Sequence, residues 1–126
     1  METYDANTTP DPFEWLDLDE NERAILVKEY HEDNDIEAPE ASAMLHARIH
    51  VVVENQLAEE VEGVAEAIER LTREGLDRHE AVHAISALNF SIMNESRKAG
   101  ESRFTPESYK RRLDDLTIER WLDGTY

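Results

Sequence analysis

The chain has 126 residues and a formal net charge of −17, from 13 basic and 30 acidic residues. This length suits a single domain, 1–126, and the negative charge argues against nucleic acid or an anionic membrane as ligand, because both bind clustered cations. The lack of cysteine excludes disulfides, thiolate zinc sites and a cysteine nucleophile. No apolar run reaches the length of a membrane span and no signal-peptide pattern opens the chain, so we expect a cytoplasmic protein.

The charge is unevenly distributed along the chain. Residues 1–69 contain 20 acidic and 3 basic residues, whereas residues 70–126 contain 10 of each. Such a pattern is typical of a solvated acidic face, and it also suits a surface that binds a basic protein partner. Self-association is a further alternative, in which exposed aromatic side chains would form the contact. These aromatic candidates are Phe13, Trp15 and Trp121.

The apolar residues recur with the period of a helix, and strand-like alternation is missing. This pattern predicts an all-α fold, a compact bundle of four to five helices. Residues 1–12 are rich in Thr, Asp and Pro and are predicted to form a flexible, extended N-terminal arm. A short turn containing Phe13, Trp15 and Leu16 follows, and we expect it to pack against the bundle as a plug.

Capping residues place the helices in chain order. The first helix is predicted over about 19–33, with Asp19 as N-cap and an apolar side formed by Ile25, Leu26 and Tyr30, with Val27 as a further candidate. The second begins near Pro39, a residue that suits the first helical position. The apolar arc of this second helix contains Leu45, Ile49, Val52 and Val53, and His46 and His50 are predicted to lie at its edge, half-buried.

Three further helices are predicted in the second half of the chain. The third carries the stripe Val61, Val64, Ala65, Ile68 and Leu71 and ends at Gly75. The fourth starts at Asp77, where Glu80 completes a capping box, and carries the stripe Ala81, Ile85, Leu88 and Ile92. A loop is predicted over 97–103. The fifth helix starts with Thr105 and Pro106 and extends as far as Trp121 and Leu122.

Four of the five histidines form two pairs at spacing i, i+4: His46 with His50, and His79 with His83. Residues four apart lie above one another on a helix, so both imidazoles of a pair can bind one metal ion. An up-down-up arrangement of helices two to four brings the two pairs to the same end of the bundle. We therefore predict one metal site with His46, His50, His79 and His83 as ligands. His31 is interpreted as a single structural or surface histidine.

Two acidic residues accompany the paired histidines. Glu54 continues the spacing of His46 and His50, which predicts a role as an additional ligand or as a hydrogen-bond acceptor for a ligating imidazole. Glu80 lies between His79 and His83, in a run that matches the H-E-x-x-H pattern of zinc peptidases. We disfavour a peptidase, because no strand precedes this helix and Glu80 is already explained as a capping residue. Glu80 is therefore grouped with Glu54 as an additional ligand or a hydrogen-bond acceptor for a ligating imidazole. No catalytic residue is assigned.

Two runs of sequence resemble a family of small uncharacterised bacterial proteins catalogued only as a domain of unknown function. They are HARIHVVVENQLA, His46–Ala58, and GLDRHEAVHAI, Gly75–Ile85. The run WLDLDENERAILVKEYH, Trp15–His31, is similar to the N-terminal part of the same pattern. The resemblance implies that the four paired histidines and Glu54, Asn55, Gln56 and Glu80 stand at motif positions. It implies no activity.

The leading hypothesis is a small acidic helical protein with a histidine site between helices for a divalent transition metal, zinc or iron-type. The alternative is a metal-free interaction module, in which the histidines are structural and the acidic half binds a basic partner. A metal-dependent hydrolase is the third and least favoured interpretation, because it also needs an open coordination position and a cleft. On balance the sequence favours a protein that is not an enzyme.

Overall fold

A computed structural model describes residues 1–34, 36 and 42–126, and within these ranges it contains seven α-helices and no strand. The helices are α1 (Pro12–Asp17), α2 (Glu20–Asp33), α3 (Ala43–Ala58), α4 (Val64–Arg73), α5 (Arg78–Ala99), α6 (Pro106–Asp115) and α7 (Ile118–Asp123). The predicted all-α class is confirmed for these residues. Five helices have ten or more residues and form the body of the bundle, while α1 and α7 have six residues each.

Local capping chemistry sets where most helices begin. Asp19 accepts a hydrogen bond from the backbone N–H of Glu22 at the start of α2, and Asp77 and Glu80 form the predicted capping box of α5. Thr105 caps α6, with Pro106 in its first turn. The predicted helix start near Pro39 lies outside the described residues; within them, α3 begins after Ser42, whose hydroxyl caps the helix.

Two boundaries differ from the sequence prediction. α5 continues to Ala99 and ends at Gly100 in the left-handed conformation, so part of the predicted loop over 97–103 is helical. The predicted fifth helix is divided into α6 and α7, because Thr117 caps a new helix by accepting from the backbone N–H of Arg120. Arg70 fixes this break by donating to the carbonyl oxygens of Leu113 and Leu116.

The N-terminal segment packs against the bundle instead of projecting from it as an arm. Tyr4 and Ala6 are buried, and Trp15 on α1 is fully buried beside them. The indole N–H of Trp15 donates to the side-chain oxygen of Asn55 on α3 over 2.9 Å. Trp15 therefore fills the predicted plug position, whereas its neighbour Phe13 is 85% exposed.

Helix α3 lies at the centre of the fold and packs against both α2 and α5. The apolar core has two parts. One is formed mainly by α4, α5 and α6, and the other by the N-terminal segment with α1, α2 and part of α3. The space between α2, α3 and α5 lies where these parts meet, and it is lined by polar side chains. Within the described part of the chain, no helix has the length and apolar character needed to cross a membrane.

Candidate metal centre

Five imidazole rings fill the space between α2, α3 and α5. His31 comes from the last turn of α2, His46 and His50 from α3, and His79 and His83 from the first turns of α5. They are all the histidines of the chain. Eight pairs of these rings have centroids between 4.4 and 6.0 Å apart. We call this group the five-histidine cluster.

The prediction that the two i, i+4 pairs meet in space is confirmed. The ring centroids of His46 and His83 are 4.8 Å apart, and those of His50 and His79 are 5.3 Å apart. The faces of α3 differ from the prediction, however. His46 and His50 lie within the buried face of α3, while Leu45, predicted in the apolar arc, is 40% exposed. The histidines therefore replace apolar residues on the inner side of this helix.

His31 is neither a surface histidine nor a single one, which corrects that part of its interpretation. Its side chain is buried, and its ring lies 4.8 to 5.0 Å from those of His46, His50 and His79. The sequence holds a signal for the burial of His31. Ala24, Val27 and His31 follow a helical spacing and form part of the buried face of α2, whereas Ile25, assigned to the apolar side, is 46% exposed.

Two overlapping sets of three histidines have the spacing of metal ligands. One set is His31, His50 and His79, and the other is His46, His50 and His83. Within each set one nitrogen from each ring lies within 4.8 Å of the other two. Nitrogens bound to one tetrahedral ion lie about 3.3 Å apart, so shifts of about 1 Å bring each set to binding distance. The Nε2 atoms of His31 and His79 already lie 3.3 Å apart.

The backbone of α2 fixes the orientation and tautomer of His31. Its Nδ1 lies 2.8 Å from the carbonyl oxygen of Val27, and since a carbonyl only accepts, Nδ1–H is the donor. In the neutral ring Nε2 is then unprotonated and presents its lone pair to the cluster. Histidine ligands of metals characteristically donate their other ring N–H to a carbonyl or carboxylate in this way.

His50 lies at the centre of the cluster and is fully buried. Neither of its ring nitrogens has a hydrogen-bond partner among the residues that the structure describes. Burial, together with the neighbouring His46, His83, His31 and His79, lowers the pKa of His50 well below 6.5. The ring is therefore neutral at pH 7, which is the form that binds metal ions.

His79 is only partly buried, and its pKa is also lowered, to about 4. Burial is the main cause, followed by repulsion from His31 and His83, while Asp77 acts in the opposite direction. Two aromatic side chains border this outer side of the cluster. The ring of Tyr30 is 5.5 Å from that of His79, and the ring of Trp121 is 6.1 Å from that of His83. Because His79 and His83 are partly exposed, solvent reaches the cluster from this side.

Glu54 is buried on α3, one turn beyond His50, but its carboxylate is engaged elsewhere. Arg78 donates from both terminal nitrogens to the two carboxylate oxygens, at 2.8 and 2.9 Å, and the hydroxyl of Tyr4 donates to Oε2. These bonds account for the burial of Glu54, which was predicted as an additional ligand or as an acceptor for an imidazole. Both candidate ligand sets consist of histidine alone.

Glu80 is exposed, and its Oε1 accepts a hydrogen bond from the backbone N–H of Asp77 at 3.0 Å. This is the capping-box contact, and it directs the carboxylate to the end of α5. The H-E-x-x-H run therefore supplies two cluster histidines, while its glutamate serves the helix end. The described residues also contain no strand beside α5 that could position a peptide substrate.

The chain matches no protein-family model, no curated protein and no solved structure. The resemblance to the family of unknown function therefore remains a prediction.

Proposed function

We propose that this protein binds a divalent transition-metal ion, of the zinc or iron type, through the five-histidine cluster. The observation that carries the proposal is the convergence of every histidine in the chain on one space, with two sets of three nitrogens within 4.8 Å. Imidazole nitrogens suit zinc, iron, copper and nickel, and three of them form a common protein ligand set for zinc.

The hydrogen bonding of the cluster supports metal binding over a purely structural role. Buried polar groups in stable folds are nearly always hydrogen-bonded, and one left without a partner costs about 1–3 kcal/mol. His50 is fully buried with no partner for either nitrogen in the described ranges of the chain. A metal–nitrogen bond would satisfy a nitrogen that the protein itself leaves unsatisfied.

The charge state of the cluster also supports the proposal. Burial and mutual repulsion lower the pKa values of His50 and His79, so both rings are neutral at pH 7 and do not have to release a proton from a cationic form before binding. His31 already presents Nε2, because its Nδ1 is held by Val27. The neutral rings and the orientation of His31 therefore suit the binding of a cation.

The test is metal analysis of untagged protein, purified in excess calcium so that ions held weakly by the acidic surface are displaced. We expect bound zinc or iron in the wild type. His50→Ala should weaken binding of added zinc by at least about tenfold, because His50 belongs to both ligand sets, and His83→Ala should do the same for the one set that contains it.

Val53→Ala is the matched control, because Val53 is fully buried on the same helix as His50. It should destabilise the fold by about 2 kcal/mol and leave zinc affinity unchanged. If the wild type neither contains nor takes up zinc, iron, cobalt or copper, the proposal is wrong, and the metal-free interaction module is the better interpretation.

A further inference from the structure

His50 is the single residue shared by the two histidine sets of the cluster. A ring has two nitrogens on opposite edges, and each can bind one ion. In ordinary metal sites the second nitrogen donates to a carbonyl or carboxylate, as His31 does to Val27. His50 departs from this rule, because neither of its nitrogens has such a partner among the described residues.

The other four histidines divide into two pairs around His50. His31 and His79 approach each other with their Nε2 atoms 3.3 Å apart, and His46 and His83 have ring centroids 4.8 Å apart. The rings of His79 and His83 are nearly parallel, at 9°, with centroids 6.0 Å apart. Two ions bound to opposite edges of one imidazole also lie about 6 Å apart at ordinary metal–nitrogen distances. His79 and His83 are therefore far enough apart for each to bind a different ion.

We propose that the cluster holds two divalent ions bridged by the imidazole of His50, an inference that rests on the proposed metal-binding function. One ion binds His31, His79 and one nitrogen of His50; the other binds His46, His83 and the second nitrogen. The ring N–H proton of His50 leaves to solvent when the second metal–nitrogen bond forms, so no oxidant or reductant is needed. Each ion has three protein ligands and an open position for water or a small ligand.

This arrangement assigns a bridging role to His50 that the other four histidines do not have. His31→Ala should remove one site and leave the second, and His46→Ala should do the converse. His50→Ala should weaken both sites by at least about tenfold, because each retains only two ligands. The experiment starts with wild-type protein, whose stoichiometry needs no variant and so does not depend on how well a variant folds.

The first measurement is zinc bound per chain after gel filtration in calcium-containing buffer, with two ions expected for the wild type and one each for His31→Ala and His46→Ala. The second uses copper(II) as the probe. Copper ions joined through one imidazolate are antiferromagnetically coupled, so at liquid-helium temperature the electron paramagnetic resonance signal per copper should be less than half that of an isolated ion. The full signal should return in His31→Ala.

A wild type that binds one zinc ion per chain would overturn the bridge and leave the proposed metal-binding function intact. Two copper ions with full, uncoupled signals would also overturn it, since the ions would then occupy separate sites. A wild type that binds no metal would remove both proposals at once.

Discussion

At the scale of single residues, burial makes the imidazoles of His50 and His79 difficult to protonate. A histidine whose pKa is lowered on folding takes up protons more readily in the unfolded chain than in the folded one. His50 and His79 both behave in this way, and for His79 the pKa in the fold is about 4. Acid therefore destabilises the metal-free protein before most carboxylates begin to titrate.

We expect the free energy of unfolding of the metal-free protein to decrease as the pH falls from 6.5 towards 4, and to be insensitive to these groups above pH 6.5. The sign follows because the unfolded state binds more protons in this interval. Urea denaturation of chelator-treated protein at about pH 7, 6 and 5 measures it. His79→Gln should show a shallower dependence, and equal stability of the wild type at pH 7 and 5 would contradict the assignment.

The ion pair between Glu54 and Arg78 is a second residue-scale feature, because both side chains are largely removed from solvent. Glu54→Gln should destabilise the metal-free protein by about 3–5 kcal/mol, since it leaves the guanidinium of Arg78 buried without its charge partner. The double variant Glu54→Gln with Arg78→Met should be more stable than the single variant. Urea denaturation of the full set checks this, and a single variant as stable as the wild type would show that the pair contributes little.

At the scale of helices, the sequence predicts the first residue of a helix more accurately than it predicts which face of the helix is buried. The caps Asp19, Asp77 and Thr105 are local signals, and all three are confirmed. The break between α6 and α7 was missed, because it depends partly on Arg70, whose carbonyl partner at Leu116 is 46 residues away. A pattern within one helix carries no information about such a contact.

The faces of α2 and α3 were misassigned for a related reason. Hydrophobicity places Ile25 and Leu45 inside and histidine at the edge, yet both apolar residues are substantially exposed and His31, His46 and His50 are buried. These histidines are buried because neighbouring helices pack over them, and the pattern within one helix does not show which side its neighbours cover. The pair spacing on α3 and α5 was enough to predict four cluster members, whereas His31 has no i, i+4 partner and could be found only from its alignment with Ala24 and Val27.

The capping box of α5 links helix stability to the cluster, because His79 lies in the first turn that Asp77 caps. Asp77→Ala should cost about 1 kcal/mol of stability and should also weaken zinc binding, since fraying of this turn displaces a ligand. Thr105→Ala is the matched control: it removes an equivalent cap from α6, a helix without histidine, and should lower stability without changing zinc affinity. Thermal unfolding and zinc titration of both variants measure the two effects, and equal zinc affinities would refute the link.

For the whole molecule, the dominant electrostatic feature is the net charge of −17, all of it arising in residues 1–69. A bound divalent cation would reduce this self-repulsion as well as link helices. Binding of a basic protein by the acidic residues 1–69 stays a prediction.

Zinc at about one hundred times its dissociation constant should stabilise the fold by about 2.7 kcal/mol, which raises the melting temperature by about 10 °C for a chain of this size. Calorimetry with and without zinc measures the shift. Calcium at the same concentration is the control, because it prefers oxygen ligands and should have a much smaller effect. Equal shifts with both ions would indicate binding by the acidic surface instead of the cluster.

The contribution of His31 from α2 and His79 from α5 to one group has a topological consequence. An ion held by both would close a loop of 48 residues in a chain that has no cysteine. A disulfide over that length stays closed in the unfolded chain, whereas a metal tie opens on unfolding, because its ligands converge only in the fold. The metal would thus act as a cross-link of the folded state alone, one that reductants do not break and that a chelator removes.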